Sequence, residues 1–539
     1  MLRRPIRAAL LTAALAILGC HGGRRGPPPE RFVPAAPRAV IVVPEAGRAA
    51  EELAALHASV SGFPGAGELH GARGALAAQL GFDPLDREAL AGAGVDPRRG
   101  AALALLDRAG PHGDVGSATL LVLPAADAAN IERLLARIAR DRLGATERTS
   151  ETHGSVAAVS FRRPGGGAAA LTYAVVDRTT ILTTHPSGAA LVAEAAALDP
   201  AASLAEAPAW KVAVRALGDP VAAIGFVPAG SRLLAGSWAL ADGVAFGVSA
   251  GSRRLVARAA VLLGAREPSF RALLADGRAA PLVARLDPEA PFAARWDGDF
   301  AALGKKLVPM LPARDRARLA QHGIDLDRDL FGVLAPGGAV ALSLPAHLAL
   351  GDLTASAARL DPLRAFEFEA ILPFKAGSDP ARAAERLARA VGALRRGRAK
   401  DDGVARLATP SGEIAWKVDA AGRRIVAAGG RAGRIDALVA RLGGDGPGWT
   451  PPTPGSEAAL SGGLGGVALD MGRLVAAIRA LPDEAFGSGP SGFVMRSLVE
   501  RVVDPAARVA AVSIRADLSD GALVLALEVE ARPASAEAR

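Results

Sequence analysis

The chain has 539 residues, which is enough for roughly two to four domains with separate hydrophobic cores. Its net charge is +8, yet arginines and acidic residues alternate along the chain and only one tyrosine is present. This composition excludes the clustered basic stripe with aromatic platforms that a nucleic-acid-binding surface needs. The single cysteine excludes a disulfide framework and a zinc site built on cysteines.

Residues 1–19 are predicted to be an export signal. Three arginines among the first seven residues give it a basic start, and the apolar run of residues 8–18 is about half as long as the roughly 20 residues of a membrane-spanning helix. The run ends in Ile-Leu-Gly followed by Cys20. This segment resembles the lipobox of bacterial prolipoproteins, although Leu18 stands where such signals usually carry a small residue.

The resemblance implies that Cys20 is lipidated, with acyl chains such as palmitate, and becomes the mature amino terminus. Because His21 and not aspartate follows the cysteine, it also implies a cell-envelope lipoprotein of the outer membrane, facing the periplasm or the surface. Each buried acyl methylene contributes about 0.8 kcal/mol, and two or more chains anchor a protein stably. Two alternatives remain, an ordinary secretory signal cut after residues 14–16 and an uncleaved anchor.

Residues 20–37 are rich in glycine, proline and arginine and have no periodic apolar pattern. Such a composition predicts a flexible tether. Arg24 and Arg25 either contact anionic lipid headgroups or are simply solvated. The body that follows is predicted to consist of two similar halves, residues 38–276 and residues 277–535.

The duplication is clearest between residues 118–141 and residues 368–394. Both segments begin with an apolar strand ending in Leu-Pro, pass through a turn, and enter an amphipathic helix. Asp127 in the first segment, and Ser378 or Asp379 in the second, are predicted helix caps. The apolar positions recur at helical spacing in both helices: Ile131, Leu134, Leu135 and Ile138, and then Ala384, Leu387, Ala388 and Val391.

The segments around this pair match in the same order. The pairs are residues 39–56 with 282–303, 81–106 with 323–344, 154–185 with 403–430, 186–198 with 431–442, and 244–264 with 512–532. Short strands joined by tight turns predict antiparallel hairpins, so each half is predicted to be an α+β domain with an antiparallel sheet and helices on one face. Residues 522–531 are apolar at nearly every position, which favours cover on both faces for part of the sheet.

The sharpest catalytic signal is Gly-Val-Ser-Ala-Gly at residues 247–251, which fits the pattern of serine hydrolases with Ser249 as nucleophile. That pattern requires a tight turn from a strand into a helix. The residues that follow are instead predicted to form a returning strand. We therefore interpret the segment as a turn of small residues, and keep a serine hydrolase using Ser249 only as the weakest alternative.

Other catalytic, cofactor or metal residues are not predicted. The eight histidines never pair at the spacing of a helical zinc face, and residues 65–71 are glycine-rich without following a strand. Residues 325–332 carry three alternating aspartates but lack the glycine and glutamate of a calcium loop, so these aspartates are predicted to cap a turn. The basic patch at residues 395–400 is interpreted as the end of a helix, where cations complement the helix dipole.

These observations predict a lipid-anchored bacterial envelope protein that is a non-enzymatic binding or scaffold module, held at the membrane through Cys20 and contacting an envelope protein. The alternative is a carrier for a lipid or other apolar ligand, which would bind in a cavity of several hundred cubic ångströms. A large exposed apolar patch would favour a protein partner. A histidine within hydrogen-bond reach of Ser249 would favour the hydrolase.

Overall fold

A computed structural model describes residues 26–539 of the chain with several gaps, at residues 60–65, 110–114, 219–220, 235–240, 252, 272–279, 311–312, 322, 350–361, 380–381, 383–384, 386–397, 400–403, 420, 520 and 534–539. Cys20 and the predicted signal lie outside the described residues, as do most of the second amphipathic helix and the basic patch. The chain divides into two compact units. Unit 1 is Met1–Ala265 with Ser519–Val524, and unit 2 is Arg266–Leu518 with Leu525–Arg539.

The first ten strands form an antiparallel sheet. In chain order they are β1 (Ala39–Val43), β2 (Ala101–Ala109), β3 (Val115–Pro124), β4 (Glu147–His153), β5 (Val156–Arg162), β6 (Leu171–Val176), β7 (Thr179–Thr183), β8 (Ala223–Pro228), β9 (Gly243–Ala250) and β10 (Arg254–Leu262). Across the sheet their order is β4, β5, β6, β7, β3, β2, β1, β8, β9, β10.

The next ten strands repeat this arrangement. They are β11 (Phe292–Trp296), β12 (Gly338–Ser343), β13 (Glu367–Pro373), β14 (Arg398–Ala399), β15 (Val404–Thr409), β16 (Gly412–Asp419), β17 (Arg424–Gly430), β18 (Gly465–Asp470), β19 (Val509–Ser519) and β20 (Ala522–Ala531). Their order is β14, β15, β16, β17, β13, β12, β11, β18, β19, β20, which is the first order with every number raised by ten. The predicted similarity of two α+β halves with antiparallel sheets is confirmed.

The similarity extends to single hydrogen bonds beside the two Leu-Pro strand ends. The residue after each proline donates its backbone N–H to the carbonyl of an arginine in a tight turn, Ala125 to Arg178 and Phe374 to Arg423, each at 2.8 Å. Both arginines have positive φ, 59° and 48°. Because left-handed backbone is uncommon for residues other than glycine, its occurrence at the same place in both units supports a common origin.

The helices of unit 1 include the amphipathic helix that is predicted after the Leu-Pro strand end. They are α1 (Ala46–Ser59), α2 (Ala66–Leu80), α3 (Arg87–Gly92), α4 (Ala128–Leu143), α5 (Gly188–Ala196) and α6 (Pro208–Leu217). Asp127 caps α4 by accepting hydrogen bonds from the backbone N–H groups of Ala129 and Asn130. The four predicted apolar positions of α4 are all buried.

Helices cover both faces of the central strands, so the prediction of helices on one face was too narrow. In β3, Leu120 and Val122 pack into a core that includes α5 and α6, whereas Leu121 and Leu123 pack into a second core that includes α1 and α4. The cause is visible in the strand itself, because a strand that is apolar at successive positions has two faces to bury.

The helices of unit 2 include two that the sequence did not predict. In chain order they are α7 (Glu267–Arg271), α8 (Ala280–Val283), α9 (Phe300–Leu307), α10 (Ala313–Gln321), α11 (Leu326–Asp329), α12 (Arg434–Gly443), α13 (Pro454–Ser461), α14 (Met471–Arg479) and α15 (Gly489–Ala506). The unpredicted helices α14 and α15 lie between β18 and β19, in residues 471–508, where the matching connection of unit 1 is only residues 229–242. Among the described residues, none of the helices has the length and hydropathy needed to cross a bilayer.

The predicted range of the tether, residues 20–37, extends too far toward the carboxyl end, because residues from Pro29 onward belong to the folded unit 1. Residues Pro29–Phe32 form a short 3-10 helix, and both Phe32 and Val33 are buried in the core of unit 1. The Val33 carbonyl accepts a hydrogen bond from Leu204 N at 2.8 Å. The two apolar side chains explain the difference, since their burial outweighs the extended tendency of the prolines before them.

Candidate binding site

The structure places Ser249 inside β9, where it pairs with Val256 of β10. The chain therefore continues from Ser249 into a β-hairpin, and the returning strand is confirmed. A nucleophile of the hydrolase type would need a turn into a helix at this point. His322 lies outside the described residues, and His347 is exposed in the loop that follows β12 of unit 2.

Of the three alternating aspartates, Asp325 caps α11 as the sequence predicts, and Asp329 accepts a hydrogen bond within the same turn. Asp325 accepts a hydrogen bond from Arg328 N at 3.1 Å, and Asp329 accepts one from Asp325 N at 3.0 Å. Across the part of the chain that the structure describes, no group of three or more histidine, cysteine, aspartate or glutamate side chains is placed to hold a metal ion.

Unit 2 contains a buried group of charged side chains that the sequence analysis missed. We call it the ion cluster, and its members are Asp287, Glu367, Glu369, Arg434 and Arg441. The two glutamates are alternate residues of β13, so they point to the same side of the sheet. The two arginines are seven residues apart in α12, which is about two turns, so they share one side of that helix.

Charge-assisted hydrogen bonds join the members of the ion cluster. Arg434 donates to Glu367 at 2.7 Å and to Asp287 at 2.8 Å, and it also donates to Ser343 Oγ at 3.0 Å. Arg441 donates to both carboxylate oxygens of Glu369, at 2.7 and 2.6 Å. The side chains of Glu369 and Arg434 are only 1% and 5% exposed. The cluster is therefore a network inside the protein, and not a surface ion pair.

A buried network of charges has a large desolvation cost compared with an apolar core. Burial raises the pKa of Glu369 above its usual value, even though the hydrogen bonds and charge of Arg441 and the charge of Arg434 act in the opposite direction. Replacing a buried ion network by apolar side chains of similar volume is often neutral or stabilising. Stability alone is thus a weak explanation of the cluster, which makes this region a candidate for function.

Unit 1 shows what the same positions look like without charges. Glu369 is four residues before Pro373 and pairs with Ala341, and Leu120 is four residues before Pro124 and pairs with Ala104. By the same register, Glu367 corresponds to Ala118, and Ser343 corresponds to Leu106. All three counterparts in unit 1 are buried apolar residues.

A cleft of about 960 Å³ opens over the ion cluster within unit 2. Its floor contains Asp287, Ser343, Glu367 and Arg434. One wall is apolar and consists of Ala476, Ala477, Ala480 and Leu481, from α14 and the residues after it, opposite residues 344–346. Its rim carries the exposed side chains of Glu289, His347 and Arg431. Within the described residues, the Arg431 guanidinium has no ion-pair partner.

Local backbone features hold the floor and the wall in place. Gly430 has a φ of +130°, and a Cβ at this residue would lie 2.6 Å from Glu367 Cγ, so only glycine lets the carboxylate approach the strand end. The wall helix α14 begins at Asp470, which accepts a hydrogen bond from Arg473 N at 3.0 Å. After α14, Leu481 and Phe486 pack on Leu348.

The site combines a charged floor, an apolar wall and the exposed guanidinium of Arg431 at its rim. The floor charges satisfy one another, so they fix the shape and polarity of the cleft. A ligand that matches this lining has a polar or charged part and an apolar part. The sequence carried one signal for the site, because strand 367–373 alternates glutamate with apolar residues where the corresponding segment of unit 1, residues 118–124, carries no charge.

No protein-family model matches the chain, and no curated protein matches it. Among solved structures, it is similar to three crystal forms of TP0453. With form IV the identity is 8% and the TM-score 0.25, and the match covers 46% of this chain and 85% of that one. With form III the identity is 9% and the TM-score 0.24, and the match covers 46% of this chain and 86% of that one. With form I the identity is 8% and the TM-score 0.24, and the match covers 45% of this chain and 81% of that one. TM-scores of this size do not indicate a shared fold.

Proposed function

We propose that the chain is a lipid-anchored bacterial envelope protein and a non-enzymatic binding module, with the cleft of unit 2 as its binding site. The envelope address is supported by the basic start, short apolar run and lipobox-like segment that ends in Cys20. The outer membrane follows from His21 after the cysteine. The position of Ser249 in the middle of a hairpin supports a binding role over a hydrolase.

The observation that carries the binding site is the contrast at matched positions of the two units. Unit 1 builds the fold with Leu106, Ala118 and Leu120, so the topology does not require charges there. Unit 2 has the costly ion cluster at those positions and places a large cleft directly above it. Charges that the fold does not need, in the floor of a cleft, are best explained by a ligand.

A carrier for a lipid is the second candidate, and the alanine-rich wall of α14 favours it. The cleft volume lies within the range of about 300–1,000 Å³ that is usual for small-molecule sites. A purely apolar ligand would leave the floor charges against hydrocarbon, which is unfavourable. The carried molecule would therefore be an amphiphile with its polar group toward the floor.

The address is tested by metabolic labelling of the producing bacterium with a fatty-acid analogue. We expect the full chain to take up the label and to stay in the membrane pellet under carbonate wash. The Cys20→Ser variant is expected to lose both properties. A wild-type chain that remains unlabelled would show that the lipid anchor is wrong.

The binding site is tested by filling the cleft. We expect native mass spectrometry of the full chain, purified from its own envelope, to show a co-purifying small molecule that the Ala477→Trp variant loses. Ala458→Trp is the matched control, because Ala458 is exposed on α13 and does not line the cleft. Equal retention by both variants would place the ligand elsewhere.

A further inference from the structure

Helix α15 has an apolar face that the described part of the protein leaves uncovered. Val494, Leu498 and Val502 follow one another at four-residue intervals, and Met495 lies beside them on the same side of the helix. Between 43% and 56% of each of these four residues is exposed, and Phe493 in the first turn is 77% exposed. We call the first four of these residues the α15 apolar face, because Phe493 lies on another side of the helix.

Within the part of the chain that the structure describes, the charges beside the α15 apolar face leave one arginine without an ion-pair partner. Glu500 pairs with Arg496 at 3.2 Å, and Asp504 pairs with Arg479 at 2.7 Å, so both acidic residues of the helix are neutralised. Arg501, next to Val502, is exposed and has no ion-pair partner among the described residues. An apolar strip with this arginine at its edge is suited to a helix that lies in the interface of an anionic bilayer, where the cation meets phosphate groups.

The tether is short enough to keep the body close to a bilayer. Pro29, the first residue of the described 3-10 helix, is nine residues after Cys20. At no more than about 3.3–3.6 Å per residue, this segment spans at most about 30 Å. If Cys20 carries lipid, a step that rests on the proposed function, the folded body cannot move far from the membrane surface.

We propose that α15 lies in the surface of an anionic bilayer, with the α15 apolar face against the acyl chains and Arg501 at the phosphate groups. This surface is favoured over a protein partner because the exposed strip is one helix wide. A stable protein interface needs about 800 Å² from each partner, usually from several elements, whereas an interfacial helix needs only one apolar face. Unit 1 has only a 14-residue connection at the matching position, so α15 is an addition to the repeated fold.

The test uses the absence of any cysteine besides Cys20. The full lipidated chain with Leu498→Cys or Val502→Cys is labelled with a fluorophore and reconstituted into vesicles of phosphatidylcholine and phosphatidylglycerol. A spin label on the lipid acyl chain then quenches fluorophores that enter the bilayer. We expect severalfold stronger quenching at residues 498 and 502 than in the control Glu500→Cys, which lies on the polar side of the helix, and weaker quenching when Arg501→Glu is added.

Equal quenching at residues 498 and 500 would overturn the proposal. A fluorophore at residue 498 that is protected from the water-soluble quencher iodide, but is not quenched by the lipid label, would also overturn the proposal. That result would indicate a protein partner or a second copy of the chain. The chain without an added cysteine separates this failure from a failure of the anchor. If that chain is labelled by the fluorophore, the Cys20 thiol is free and the anchor is missing. If it is not labelled and co-floats with the vesicles, the anchor is present.

Discussion

The two units have the same strand order and very different buried polar residues. Among the described residues that are buried, the polar ones of unit 1 are all serine or threonine, whereas those of unit 2 include Arg295, Asp297, Asp329, Glu367, Glu369 and Arg434. A hydroxyl group can satisfy a backbone carbonyl at little cost, but a buried charge needs a partner of opposite sign. The same strand order therefore folds in unit 1 with apolar residues at these positions. The buried charges of unit 2 are not required by the topology and need another explanation.

The same comparison separates the added helices from the repeated fold. The connection between the two matching strands has 14 residues in unit 1 and 38 residues in unit 2. The longer one supplies α14, which forms the cleft wall, and α15, which exposes its apolar face. Wall and floor of the cleft are thus both places where the units differ.

The largest effect is expected from moving a charge of unit 2 into unit 1. Leu120→Glu places a carboxylate at the position of Glu369, where Leu120 is 0% exposed and no arginine corresponds to Arg441. An uncompensated buried charge should cost toward the upper end of roughly 3–5 kcal/mol in the free energy of unfolding. Hydrogen exchange of β2 and β3 reports this loss for unit 1 alone. Leu120→Gln is the control of similar size, and a charged variant no less stable than the amide would contradict the comparison.

A smaller loss is expected when the ion cluster is broken in unit 2. Arg434→Met leaves Glu367 and Asp287 without their main partner, and because these carboxylates are 10% and 15% exposed, water relieves part of the cost. We expect a loss of about 3 kcal/mol in the unfolding free energy of unit 2. The control Arg424→Met breaks a half-exposed pair with Asp419 and should cost under about 1 kcal/mol. Similar losses in the two variants would show that the cluster does not act as a buried network.

The smallest effects are opposite pH dependences that one titrating side chain contributes in each unit, Glu369 in unit 2 and His57 in unit 1. The raised pKa of Glu369 means that the folded state binds this proton more tightly, so unit 2 loses stability as pH rises above about 4.5 through the folded pKa. Partial burial, with His70 and Arg73 nearby, lowers the pKa of His57. The unfolded chain then binds that proton more tightly, so unit 1 loses stability as pH falls below about 6.5.

Hydrogen exchange of each unit, corrected for the intrinsic exchange rate at each pH, measures the two slopes. Glu369→Gln should flatten the response of unit 2, and His57→Gln should flatten the response of unit 1. A substitution that leaves the slope of its own unit unchanged would contradict the assignment of that group.

The fold was largely predictable, because its signals are local. The alternating apolar positions of the strands, the Asp127 cap and the helical spacing in residues 131–138 each depend on neighbours within a few residues. The order of matched segments then indicated the duplication. Cover on both sheet faces was underestimated because the helices that provide it are short and rich in alanine.

The candidate site was not predictable in the same way. Its charges come from strand β13, helix α12 and the loop at Asp287, up to 154 residues apart in the chain. No spacing rule joins residues that meet only through the sheet order. Helix α15 was missed for a different reason, since unit 1 has no matching segment with which its sequence could be compared.

The central claim is that the ion cluster serves a ligand and not the stability of unit 2. The most direct test is native mass spectrometry of the full chain, purified from its own envelope, with all five charges of the ion cluster removed. The substitutions are Asp287→Asn, Glu367→Ala, Glu369→Leu, Arg434→Leu and Arg441→Ala, together with Ser343→Leu. We predict that this variant keeps a folded unit 2, by hydrogen exchange, and loses the small molecule that the wild-type chain carries. A variant that still carries the molecule, or whose unit 2 unfolds, would contradict the claim.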